Sequence, residues 1–179
     1  MRPVVAAALV LLLALPAAAR DLTSVEEAAL VERVDEFNAA IDGRNFETVL
    51  SIVPPRIYET IAEQHGIDVA TLRAVVVDQM EEIFEEATLE EFDMRVTDAE
   101  RRTLEDGTPY LLLPTTTVVE AEGVGRMRFE NATLALLDEG TWYLLRLDDP
   151  NQAAILQQTY PGFAGVELPR GTITPLDDQ

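Results

Sequence analysis

The chain has 179 residues, 47% hydrophobic and 26% charged, a balance that excludes a disordered segment and suits one globular domain. Its 33 acidic residues against 13 basic ones give a formal charge of −20, and every basic residue is an arginine. A field of that sign repels phosphate backbones and anionic head groups, which excludes nucleic-acid binding and peripheral membrane binding. Cysteine is absent. That removes disulfides, thiolate metal sites, a thiol nucleophile and the lipid-modified cysteine of a lipoprotein.

Residues 1–19 read as a signal peptide cleaved after Ala19. Arg2 supplies a minimal positive start, Val4 to Leu15 an apolar run, and Ala17-Ala18-Ala19 the small-residue cleavage pattern. The run is shorter than the roughly 20 residues that span a bilayer, so no membrane insertion is expected after cleavage. A periplasmic or secreted location follows. Residues 20–165 then form a single α+β domain, and residues 166–179, rich in proline and glycine, an irregular tail.

Ser24-Val-Glu-Glu27 has the spacing of a capping box, and behind it Leu30, Val34, Phe37 and Ile41 recur at helical period until Gly43. Asn45 caps a short second helix. Pro54-Pro55 halts that helix and opens a third, which ends at His65-Gly66. Asp68 caps a fourth helix, whose wide apolar face (Leu72, Val75, Val76, Met80, Ile83, Phe84) predicts burial against more than one neighbour. From residue 89 the period becomes 2. Phe92, Met94 and Val96 alternate with charged residues, Asp106-Gly107 marks a hairpin, and strands follow at Tyr110–Glu120, Met127–Leu137 and Thr141–Leu147. Asp149 caps a final short helix with Pro150 in its first turn. Helices first and strands after predict N-terminal helices packed on a four-stranded antiparallel meander.

This order and length resemble the nuclear transport factor 2-like superfamily, in which a curved sheet wraps helices into a cone. The stretches "PPRIYETIAEQHG", "TPYLLLPTTTV", "WYLLRLDDP" and "YPGFAGVE" also resemble a set of exported bacterial proteins without an assigned activity. Cone folds host isomerases, dehydratases, hydrolases and plain binding modules, so the resemblance alone decides no function. It implies that a catalytic Asp, His or Tyr of such an enzyme sits in the apolar cavity between sheet and helices.

His65 is the only histidine, and its place at a helix end fits a cap better than a base. The run Glu81-Glu82-Ile83-Phe84-Glu85-Glu86, continued by Glu90, Glu91 and Asp93, lacks the spacing of a calcium loop and reads as a solvated face. No metal site and no cofactor are expected. Asn131-Ala132-Thr133 matches a glycosylation sequon inside a strand and is taken as coincidence. Tyr58, Asp93, Tyr110, Asn131 and Arg146 are polar residues with apolar neighbours, and Trp142 shares a strand face with Arg146. They form no recognisable catalytic pair, so catalytic residues are not assigned. Tyr110, Trp142, Arg146, Asp93 and Tyr58 stand as ligand-binding candidates. Alternation leaves two arrangements open. Favoured is a core made by the Tyr143, Leu145 and Leu147 side, with Trp142 stacked on Arg146 outside. The other puts Trp142 inward and offers Arg146 to a ligand carboxylate in the cavity.

The leading expectation is therefore a non-catalytic binding or accessory module of the cell envelope, with a small molecule or an envelope protein as partner. A small-molecule pocket enzyme of isomerase, dehydratase or hydrolase type is the alternative, and a protein-interaction factor in envelope assembly is the third. A homodimer through the open face of the sheet is also left open.

Overall fold

A computed structural model describes residues 21–148 and 150–176. The expected signal peptide and the expected cap at Asp149 lie outside the described residues. Four helices come first: α1 (Ser24–Asp42), α2 (Phe46–Ile52), α3 (Pro55–His65) and α4 (Val69–Glu86). The capping box on α1 lies one residue earlier than the sequence reading had it. Thr23 Oγ1 accepts from the Glu26 amide at 3.2 Å, and the Glu26 carboxylate accepts from the Thr23 amide at 2.8 Å. Glu27 is thereby released to pair with Arg101 at 2.6 Å, which ties the helix start to the sheet. Asn45 and Asp68 cap α2 and α4 by accepting from Thr48 and Thr71, as expected. Gly66, at φ +66°, ends α3 in the left-handed conformation that a glycine adopts without strain.

The helix α4 runs without a loop into β1 (Ala87–Met94). After it come β2 (Glu100–Thr103), β3 (Pro109–Ala121), β4 (Gly125–Asp138) and β5 (Thr141–Leu147). A short helix α5 (Pro150–Thr159) and a strand β6 (Thr172–Leu176) finish the described chain. The domain is α+β, with N-terminal helices on a curled, fully antiparallel sheet of six strands, of which β1-β3-β4-β5 is the main path. The extra strands arise because two edges are each shared. The chain jogs through a 3-10 turn at Val96–Asp98, so β1 pairs one half of β3 and β2 the other; the Asp106-Gly107 hairpin joins β2 to β3. On the far side, β5 pairs β4 over Ala132–Asp138 and β6 pairs it over Arg126–Glu130, so the tail expected to be irregular supplies a strand.

The jog also explains a proline in a central strand. Pro114 falls between Leu112, which pairs with β2, and Thr115, which pairs with β1, where β3 has no neighbour on that edge needing a donor.

Both faces of the sheet are covered. On the inner face Met94, Leu111, Leu113, Ala135, Trp142 and Leu144 pack against Leu30 and Val34 of α1 and Ile52 of α2. On the outer face Tyr110, Leu112, Leu134, Leu136 and Leu147 pack against Leu156 of α5 and Phe163. Burial on two sides is why Tyr110-Leu111-Leu112-Leu113 reads as a continuous apolar run. By contrast α4, expected to be buried by its wide apolar face, has no fully buried residue: it touches α2, α3 and β1, and leaves Val75 and Ile83 exposed. No helix among the described residues is long and apolar enough to cross a membrane.

Candidate ligand pocket on the inner face of the sheet

In a regular strand Leu89 and Phe92, three apart, face opposite sides. A bulge between Leu89 and Glu91 inserts one unpaired residue, Glu90, and brings both apolar side chains to the inner face, opposite Val119 and Thr117 of β3. Glu90 instead meets Arg126 of β4, whose Nε and Nη2 donate to it at 2.9 and 2.7 Å. The next carboxylate, Glu91, lies 3.6 Å from Arg128. Part of the acidic run is thus consumed in pairs across the sheet, while Glu81, Glu82, Glu85 and Glu86 lie exposed on α4.

The bulged strand and the end of α4 enclose a cavity of about 280 Å³. Ile83, Phe84, Ala87, Leu89 and Phe92 come from the continuous α4–β1 segment, and Ile41 from the end of α1. The sheet contributes Thr117, Val119, Phe129 and Arg146. Phe84 is held by a tilted contact with Phe46 at 5.0 Å, and Phe92 by one with Phe37 at 5.9 Å. Ile83 stays 59% exposed, so apolar surface reaches the mouth of the cavity.

Along the inner face a polar belt separates this cavity from the dry core. Thr115 and Thr117 on β3, Asn131 and Thr133 on β4 and Arg146 on β5 occupy adjacent register positions. Thr115 and Thr133 share a hydrogen bond of 2.9 Å between their hydroxyls, and Thr115 also donates to the Leu113 carbonyl at 3.1 Å. Arg146 Nε donates to Asp148 Oδ1 at 2.8 Å and lies 2.7 Å from its Oδ2 in an ion pair, and Asn131 Nδ2 donates to the same Oδ1. Two polar atoms of the belt are buried without a partner among the described residues, Thr117 Oγ1 and Asn131 Oδ1. Thr117 is only 7% exposed, and a buried hydroxyl left unpaired costs about 1–3 kcal/mol.

Of the five ligand-binding candidates, the structure brings only Arg146 to this cavity. Trp142 lies on the inner face but deeper. It is buried in the core, and its Nε1 donates to the Glu26 carbonyl at 2.9 Å. The favoured stacking of Trp142 on Arg146 outside the sheet is thus corrected. The Tyr143 side packs on the outer face, against α5, because the strand is buried on both faces. Asp93 points away from the cavity and pairs with Arg95 at 3.0 Å. Tyr58 is buried on α3 beneath the Arg73 guanidinium, 5.5 Å from its ring, and burial pushes its phenol above the usual tyrosine range. Tyr110 is on the outer face, edge-on to Phe163 at 5.1 Å.

Tyr110 borders a second, smaller cavity of about 210 Å³. Its polar groups already satisfy one another: Tyr160 donates to Asp138 at 2.8 Å, and Arg56 lies over the Tyr160 ring at 4.9 Å. A broader outer groove of about 650 Å³ runs beneath residues 167–172, where Arg102 donates to Glu100 and to the Glu167 carbonyl. His65 is exposed at the last turn of α3. Among the described residues no three acidic, histidine or cysteine side chains are grouped to hold a metal ion.

Sequence reasoning passed over Thr117, Phe129 and the α4–β1 wall. The signal was present in "LLLPTTTVV", where a strand apolar on both sides turns to three consecutive threonines without leaving the sheet. No protein family, curated protein or solved structure matches the chain.

Proposed function

We propose that the chain is an exported, non-catalytic binding module of the cell envelope, built like the cone-shaped nuclear transport factor 2-like domains, and that it takes a small ligand in the inner-face cavity. The observation that carries this reading is the composition of the cavity wall: ten residues, of which eight are apolar, one is a hydroxyl without a protein partner and one is a cation. Such a wall matches a binding site, where apolar area supplies affinity and a few polar groups orient the ligand. Acid–base catalysis needs a proton-transfer group within hydrogen-bond reach of the reacting atoms; an arginine does not give up its proton, and Asp93, Tyr58 and Tyr110 lie on other surfaces.

The test is thermal stability of the chain from Arg20 onward against a panel of small apolar and amphipathic compounds. A ligand at 100 times its dissociation constant adds about 2.7 kcal/mol to native stability. Val119→Trp, which fills the cavity, is expected to abolish the gain. A gain that persists in the filled variant, or no gain with any compound, refutes the reading. Export is tested separately, by the mass of the protein recovered from the periplasm of a bacterial host, with a chain beginning at Arg20 as the expected product.

A further inference from the structure

We infer that the cavity selects molecules with an apolar body and a single carboxylate head, the head held by Arg146 and Thr117; this rests on the binding reading above and names its ligand class. Arg146 is the only charged side chain among the described residues of the cavity wall. Its Nε is committed to Asp148, and among the described residues neither terminal nitrogen has a hydrogen-bond partner. Four N–H bonds in a planar fork are therefore left to a ligand, and that fork matches a carboxylate through two parallel hydrogen bonds. Asp148 is itself anchored by Asn131, so the Nε contact fixes the plane of the guanidinium. Such positioning is what makes a fork selective and not merely attractive.

Thr117 supplies the second observation. Its hydroxyl is buried, lines the same cavity and has no protein acceptor. A hydroxyl so placed donates to a ligand oxygen. The remaining wall is aromatic and aliphatic, and exposed Ile83 extends it to the mouth, where the tail of an amphipathic molecule covers it. The volume limits the size. At about 30 Å³ for each water-sized group, 280 Å³ holds roughly nine non-hydrogen atoms. Benzoate and heptanoate have that size. The overall charge of −20 opposes an anion from a distance, but this repulsion is screened beyond roughly 8 Å at physiological salt. The contact with the fork is local and less affected.

The experiment titrates the folded chain, residues 20–179, with heptanoate, benzoate, heptan-1-ol and heptylammonium. The readout is the amide and arginine Nε–H resonances by NMR. Heptanoate and benzoate are expected to shift residues 117, 129 and 146 saturably. Heptan-1-ol should bind at least about tenfold more weakly, since a charge-assisted hydrogen bond carries about 1.5–3 kcal/mol. Arg146→Lys keeps the charge and removes the fork, and it should weaken heptanoate by about 10- to 100-fold while leaving heptan-1-ol unchanged. Thr117→Val keeps the shape and should weaken heptanoate several-fold, by about 3- to 10-fold. Equal binding of the alcohol and the acid, or an Arg146→Lys variant that binds heptanoate like the parent, overturns the carboxylate inference and leaves the cavity reading standing. Absence of any saturable shift at these residues with all four compounds overturns both.

Discussion

Thr117→Val is expected to make the free protein more stable, although it removes a polar group from a strand. Thr117 is 7% exposed and its hydroxyl finds no protein partner, whereas valine has the same branched shape and fits the same inner-face position. Relief of an unpaired buried hydroxyl contributes about 1–3 kcal/mol. For a domain of this size that corresponds to a rise in Tm of roughly 2–12 °C. The neighbouring Thr115→Val is the control with the opposite sign. Its hydroxyl bonds both Thr133 and the Leu113 carbonyl, so its removal leaves the buried Thr133 hydroxyl alone and should cost about 1–3 kcal/mol. Urea unfolding followed by Trp142 fluorescence measures both, with equal m-values confirming that the unfolded state is unchanged. A Thr117→Val protein less stable than the parent by more than about 0.5 kcal/mol would falsify the claim that the hydroxyl is unpaired in the free protein.

Two further outcomes follow from local geometry. The β4–β5 turn has positive φ at both central residues, 49° at Glu139 and 80° at Gly140, the form that favours Asn-Gly; Glu139→Asn should therefore raise stability by about 0.5–1 kcal/mol, and a midpoint shift in urea of either sign decides it. The phenols of Tyr58 and Tyr160 are both pushed above the ordinary value of 10.0, chiefly by burial, with Asp138 adding to the effect at Tyr160. A folded pKa above the unfolded one gives stability that is complete below pH 10 and lost as pH rises beyond it, so the urea midpoint should fall steadily above pH 10. Tyr160→Phe should flatten part of that fall, and an unchanged slope counts against Tyr160 as a source.

Helix positions were legible because they rest on local chemistry: Asn45 and Asp68 accept from the amides expected of a cap, and Gly66 takes the left-handed turn. The three long strands that end at tight turns were legible for the same reason. The start of β1 was not, because a bulge breaks the period of 2 where Leu89 and Phe92 both turn inward. Strand β6 was not, because a strand with exposed side chains pairing through its backbone leaves no apolar pattern. The face of Trp142 could not be read either. Alternation identifies a core only when one side of a sheet is wet, and β5 is covered on both sides. Arg146 was found by sequence because a cation amid leucines is conspicuous. Thr117 was missed because threonine is an ordinary strand residue, and only its lack of a partner sets it apart.

The least buried helix and the candidate site belong to the same feature. Helix α4 continues straight into β1, so the side chains closing one wall of the cavity, Ile83 and Phe84, and those lining the next, Leu89 and Phe92, lie on one unbroken segment. The bulge at Glu90 sets the angle of that segment, and Arg126 pins the bulge from outside the cavity. An apolar face as wide as that of α4 could have been buried fully by lying flat on the sheet. Instead the residues opposite its end are Thr117 and Arg146, which could not be covered by an aliphatic helix without burying an unpaired hydroxyl and the free end of a guanidinium held only through Nε by Asp148. The end of the helix therefore stands off where the belt is polar, and Ile83 stays exposed. The cavity and the exposed last turn of α4 share one cause, a Thr117 hydroxyl and an Arg146 fork that the helix leaves without partners and a ligand with a matching head can satisfy.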